Sequence, residues 1–418
     1  MRILFMACLL VSLGLAGCGG SGSSSKSTAY FVDNAVTGLQ YRCGGGSVRT
    51  TGDQGVLRCG LGKTLTFMVG DIEIGTTTMA PGRVFITPAT LAGEGANEDT
   101  DRVINLARFL ISLDADQDLS NGINISPDSL QALGQALDFD QTIATFETAV
   151  ADILDALTAS LPGGPFPLVS EAVAVDHLLP ALHLVNAGLY RGAVQHHADS
   201  VGGMVFIVSR EGRAYGTNLT ADGAYAHAAF MEELDHFNTL GEGSNFLVDA
   251  STGATWHLDA KAEDGRVSGA EEGGYPAFMA ARTRHFAPLY DTALVDALSA
   301  LTPIAINLGT DDDVALYVIG DDPLAGFPFG TFDNGAPPSA TPENDLEYTD
   351  ITVAEVVSAE HDSVHLVSMS ISGYLLNIHV DLSSDPVTAQ ATWEHVHEGR
   401  RGSTSQIIFN YEPPGEVL

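Results

Sequence analysis

Asp114, Asp116 and Asp118 stand at alternate positions and Ser120 follows in the same rhythm, on Asp114-x-Asp116-x-Asp118-x-Ser120. Carboxylates in this pattern place hard oxygen donors around a Ca²⁺ ion, as the first ligand positions of an EF-hand loop do. Leu119 stands where that loop needs glycine, and Ile125 stands where it needs a bidentate glutamate. A full EF-hand is therefore excluded. A looser Ca²⁺ loop finished by Asn121 or Asp128 stays open beside the plainer alternative, a polar turn at a helix C-terminus.

The histidines offer a second chemistry. His196-His197 and His395-Val396-His397 are the most metal-like groupings, the latter putting two rings on one strand face. With thirteen histidines scattered over the chain, solvated strand histidines are the preferred reading. A metal-dependent enzyme or envelope hydrolase built from C-terminal histidines and acids is the alternative. Glu232 and His236 are four apart but lack the second histidine of a His-Glu-x-x-His zinc site. Asp311-Asp312-Asp313 reads as a hairpin turn between Ile304–Leu308 and Val314–Ile319. No Gly-x-Ser-x-Gly elbow suited to hydrolysis occurs, since Gly20-Ser21-Gly22 is a linker. Gly62-Lys63-Thr64 ends a false phosphate loop, because Leu57 replaces its first glycine and the setting is strand–turn–strand. No catalytic set emerges, and the balance leans away from an enzyme.

Charge narrows the partners. The chain has 418 residues and a formal net charge of −35, from 53 acids against 18 Lys and Arg. Its only lysines are Lys26, Lys63 and Lys261. This balance argues against nucleic acid and anionic membrane surfaces, which require basic patches. It suits divalent cations, basic partners or solubility in a salty medium.

The elements that must position these residues predict a mainly β chain with a helical insert (α+β). Residues 29–99 read as a small β-sandwich, with short runs such as Thr64–Val69 between Gly44-Gly45-Gly46, Gly52-Asp53 and Gly60-Leu61-Gly62 turns. Residues 100–189 read as a helical subdomain. Val103, Leu106, Ala107, Leu110 and Leu113 have helical spacing, as do Phe146, Val150, Ile153, Leu154 and Leu157. A further helix is predicted from Asp128 or Ser129 through Leu137, and another from Ser170-Glu171 to Leu189 with a kink at Pro180. Residues 190–418 read as an antiparallel β-sandwich or barrel whose strands have one wet face. Phe278–Ala300 interrupts the pattern with a loop and a helix over Thr292–Ala300. The two tryptophans lie in Gly253-Ala-Thr-Trp256 and Gln390-Ala-Thr-Trp393, so residues 190–272 and 304–410 can be two related units, or match by chance.

The first residues carry an address. Met1-Arg2 precedes an apolar run from Ile3 to Leu15 that is too short to span a bilayer, and small residues follow it. Leu15-Ala16-Gly17-Cys18 resembles the lipobox of bacterial lipoproteins. The resemblance implies a signal peptide over 1–17, a diacylglyceryl group and a further acyl chain such as palmitate at Cys18, and anchorage through lipid. Gly19 rather than Asp after the cysteine implies the outer membrane. Residues 18–28 form a lipidated Gly/Ser tether with a root-mean-square reach of about 5–6 Å × √n. Cys8 leaves with the signal and Cys18 takes lipid, so Cys43 and Cys59 remain as the expected disulfide of an oxidising compartment.

A second resemblance rests on Asp33–Tyr41, Thr51-Gly-Asp-Gln-Gly55 and Val69-Gly-Asp-Ile-Glu-Ile-Gly75. Together they resemble prealbumin-like or Ig-like modules of bacterial surface proteins. Val103–Leu110 followed by Leu113–Ile123 is similar to a segment that follows such modules in proteobacterial adhesin-like lipoproteins of unknown role. The resemblance implies display, adhesion or binding of a protein or glycan, and carries no active site. A periplasmic accessory protein binding Ca²⁺ or a small ligand is the further alternative.

Overall fold

The structure is a computed structural model. It describes residues 26–197, 200–210, 213–219, 225–226, 232–233, 246–248, 255–261, 265–270, 277–289, 293–308, 313–320, 330–333, 352–370, 373–396 and 398–411. The chain is mainly β with a helical insert, and its sheets are largely antiparallel. Residues 1–25, read from sequence as a leader and most of a tether and containing Cys18, lie outside the described residues, as do Asp311, Asp312, His236 and His397.

Two small sheets open the fold. In the first, Lys26–Phe31 lies between Val56–Gly60, to which it is antiparallel, and Phe85–Ile86, to which it is parallel. The second runs Val48–Thr50, Gln40–Cys43, Thr64–Val69, Ile72–Thr78. In Thr64–Val69 the alternate residues Leu65, Phe67 and Val69 are fully buried, and Phe67 meets Phe31 of the other sheet at 4.9 Å between ring centroids. Cys43 and Cys59 are bonded, with Cα atoms 5.5 Å apart, and so join the two sheets.

The helices complete the same core. Helix α1 (Pro88–Ala92) begins with a capping box in which the Thr87 and Thr90 side chains accept each other's backbone N–H. Helix α2 (Asp101–Ser112) is buried along its length from Val103 onward. Helices α3 (Ile143–Thr158) and α4 (Glu171–Asn186) pack around it, the latter capped by Ser170. Phe31, Phe67, Phe109, Phe139, Phe146 and Leu178 belong to one continuous cluster, so the β module and the helices on either side of residue 100 share a single core.

Because α2 is surrounded, its polar residues must find partners inside. Asn105 donates to the Phe139 and Gln141 carbonyls, Arg108 donates to the Val169 carbonyl and Glu147, and Ser112 accepts from the Val169 N–H. These contacts fasten the irregular segments to the helix. The helix predicted through Leu137 is replaced by one short turn, Pro127–Ser129, and an irregular run. Asp71 explains the change: its carboxylate accepts the N–H groups of Leu133 and Gly134 at 2.8 and 2.7 Å, and Gly134 adopts a φ of +66°. These bonds hold the chain open where a helix would close it.

A nine-stranded sheet follows, with Gly188–His197 near its centre between Ser200–Val208 and Ala277–His285. The last of these is the segment read from sequence as loop. Alanine and arginine dominate it and favour helix, yet Phe278 and Ala280 are buried while Met279 and Ala281 face out, as a strand requires. Ser200–Val208 and Arg213–Leu219 form the hairpin expected around Gly212.

The C-terminal part is a sandwich. A five-stranded sheet (Thr352–Glu360, Ser363–Ser370, Tyr374–Asp381, Thr388–His395, Arg401–Thr404) shares a core with a four-stranded one containing Ile304–Asn307 and Asp313–Ile319. Helix α5 (Ala293–Ser299) places Leu298 in that core. The sequence alternates Val367 and Met369 with Ser368 and Ser370, but the wet serine face this implies is not there. Ser368 and Ser370 are buried, with the Ser368 hydroxyl 2.7 Å from that of Tyr317, while Val367 and Met369 enter a second cluster on the opposite face. The strands of Trp256 and Trp393 sit in sheets of different order, nine strands in one and five in the other.

Candidate metal centre

Helix α2 ends at Ser112, and the chain turns so that Asp114 points inward. An isolated bridge pairs Asp114 with Ile125, and the Ala115 N–H donates to the Asn124 carbonyl. The far side of the loop is held by the β module: the Ile123 and Ile125 N–H groups donate to the Ala35 and Thr37 carbonyls. Gly122 fits because it has no side chain; at its φ of +95° a Cβ would lie 2.7 Å from the Ala35 oxygen.

Within this frame Asp114 is 0% exposed. One of its oxygens accepts the Asn124 N–H at 2.8 Å, and the other is buried without a donor. Burial pushes its carboxyl up to about 6, and the Asp116 carboxylate beside it adds to the rise against the Asn124 bond. Asp116 is held low instead, by the Asp118 N–H first and by the Asn121 amide. Asp118 turns to Ser120, accepting both its N–H and its hydroxyl. Asn124 in turn donates to the Asn121 side-chain oxygen.

The fold thus brings Asp114 and Asp116 together and leaves Asp118 and Ser120 bonded to each other at the exposed rim. Among the described residues no three His, Cys, Asp or Glu side chains converge as a closed cage. The Asp128 N–H bonds Ser126, within a separate turn.

The histidine groupings fare differently. Of His196 and His197 only the backbone is described, at the end of a strand. His395 is buried and packs edge-on against Tyr374, with ring centroids 4.7 Å apart. Glu232 lies in a two-residue strand beside Ala214 rather than on a helix.

Two polar sites escaped the sequence reading. His365 and His379 are cross-strand partners with stacked rings 4.0 Å apart. Arg284, from the nine-stranded sheet, brings its Nη1 within 2.9 Å of His365 Nε2 and donates to the Asn377 side chain at 2.7 Å. Their placement on either side of the reversal at Gly373, eight residues before it and six after, was the available signal. Burial first, then His379 and Arg284, pushes His365 down to about 4. The second site is a buried pair, His177 on α4 and Asp33 after the first strand, with Nδ1 and Oδ1 3.2 Å apart.

Between about pH 6.5 and 4 the unfolded chain binds a proton at His365 that the folded chain refuses, so stability falls as pH falls through that window. After discounting for its partial exposure, His365 accounts for about 1–2 kcal/mol of this loss. Urea unfolding of the native chain and of His365→Asn at both ends of the window should differ by that amount. Parallel pH dependence in the two proteins would refute it.

Comparison with known protein families, curated proteins and solved structures gives no significant match.

Proposed function

We propose that the chain is a lipid-anchored protein of a bacterial cell envelope with a non-catalytic binding, adhesion or display role. The observation that supports this reading is the junction between the lipobox sequence and the fold. Cys18 is followed by a Gly/Ser run, and the first described strand begins at Lys26. That strand is the middle one of its sheet, paired on both edges. Ser27 lies opposite Cys59, whose disulfide reaches the second sheet.

A pull along the tether is therefore taken in shear by ladders on both sides and shared with the second sheet through a covalent bond. Such a junction suits a body held at a membrane while its outer parts engage something else. Several acyl chains at about 0.8 kcal/mol per buried CH₂ make a firm anchor, where one is marginal.

Cys18→Ala tests the anchor. In cells the native protein should partition into the detergent phase and incorporate labelled palmitate, and the variant should do neither. A variant that remains in the detergent phase as completely as the native protein would remove the basis of the proposal.

A further inference from the structure

We propose that the loop from Asp114 to Asn124 binds a hard divalent cation, Ca²⁺, with the Asp114 and Asp116 carboxylates as its charged ligands. The loop holds an uncompensated charge. Asp114 is fully buried, its second oxygen has no donor, and its carboxylate faces that of Asp116. The hydrogen bonds that reach this pair come from the Asn124 N–H, the Asp118 N–H and the Asn121 amide, all neutral donors. The chain has no Lys or Arg between Arg108 and Arg191. Two facing carboxylates without a donor between them repel unless a cation or a proton lies there.

The surrounding donors select the cation. The loop offers carboxylate, side-chain amide and main-chain oxygens and contains neither His nor Cys, which disfavours zinc. An irregular, partly exposed loop suits the variable coordination of Ca²⁺ better than the strict octahedron of Mg²⁺, with water completing the shell. A bound ion would also tie the end of α2 to the β module, because the same loop is clamped to Ala35 and Thr37.

This site is independent of the anchor and of any surface role. Hydrogen exchange of the 113–125 peptide in the chelator-treated full chain, near neutral pH, tests it directly. In about 2 mM CaCl₂ exchange should slow about tenfold relative to chelator, with matching heat in calorimetry. Asp114→Asn and Asp116→Asn should lose the response, and Asp128→Asn should keep it. Asp114→Asn relieves the repulsion, so in chelator it should exchange no faster than the native chain, which separates a lost ligand from a lost fold. Indifference of the native peptide to CaCl₂, or an undiminished response in Asp114→Asn, would overturn the site. Slowing by acid but not by CaCl₂ would mean that the pair shares a proton and would overturn it too. Equal slowing by MgCl₂ would overturn the choice of Ca²⁺.

Discussion

Replacing His177 with leucine should destabilise the N-terminal body by about 3–5 kcal/mol, the range for removing one partner of a buried pair. Asp33 is 0% exposed, and His177 is the side chain placed against it. The other Asp33 oxygen already lacks a donor, so the substitution leaves the whole carboxylate without a side-chain partner in the interior. Leucine roughly conserves the volume, so little of the loss can be a cavity. Asp33→Asn should cost clearly less, since an amide is cheaper to bury than a stranded carboxylate. In contrast, Arg102→Ala cuts an ion pair whose partner Asp140 is 69% exposed, and the charge contribution there should stay below about 1 kcal/mol. Because a chain with several bodies need not unfold in one step, exchange of the amides in Lys26–Phe31 is the proper measure. A loss below about 1 kcal/mol for His177→Leu would show that the pair does not hold the fold.

The pair also illustrates what sequence conveys and what it withholds. Period-two runs such as Thr64–Val69, and the helical stripes of α2 and α3, were readable because each alternation has one dry side. Asp33 and His177 are 144 positions apart, and nothing local marks either as buried. The same limit applies to Asp71, which takes the N–H groups of Leu133 and Gly134 and so dissolves a predicted helix from 62 and 63 residues away.

Burial on two faces misleads in another way. Val367 and Met369 against Ser368 and Ser370 look half-wet, but the five-stranded sheet lies between two packed layers. Small hydroxyls are tolerated there because Tyr317 meets one of them. One of those layers joins the N-terminal body, the nine-stranded sheet and the five-stranded sheet: Val32 and Phe85, the end of α4, Val205 and Ile207, and Val367 and Leu375 form one cluster. Arg210 crosses the same joint. It donates to the Ala287 carbonyl, lies near Glu355 and covers the Phe286 ring, with burial lowering its pKa to about 10. In the loop from Asp114 to Asn124, the oxygen-bearing side chains and their order were legible. The separation of Asp118 from the inner pair was not, because it depends on which oxygen each backbone N–H captures.

Removing the disulfide should have an effect of similar size to that of His177. Cys43 and Cys59 are sixteen residues apart, and opening a loop of that length costs roughly 3 kcal/mol in the chain-entropy model. The position sharpens the expectation. Cys59 is next to last in the strand that pairs with Lys26–Phe31, and Cys43 ends the strand that pairs with Thr64–Val69. Without the bond, the sheets keep their shared core through Phe31 and Phe67 but lose their covalent link beside the tether. Opening should therefore start at that end: in Cys43→Ala/Cys59→Ala, exchange at Ser27 and Thr28 should accelerate more than at the distant ring contact of Phe109 and Phe139. Pulling the protein from its N-terminus should also unfold the variant at lower force. Uniform acceleration across the N-terminal body would show instead that the bond acts only on the unfolded chain, and unchanged exchange throughout would remove its structural role altogether.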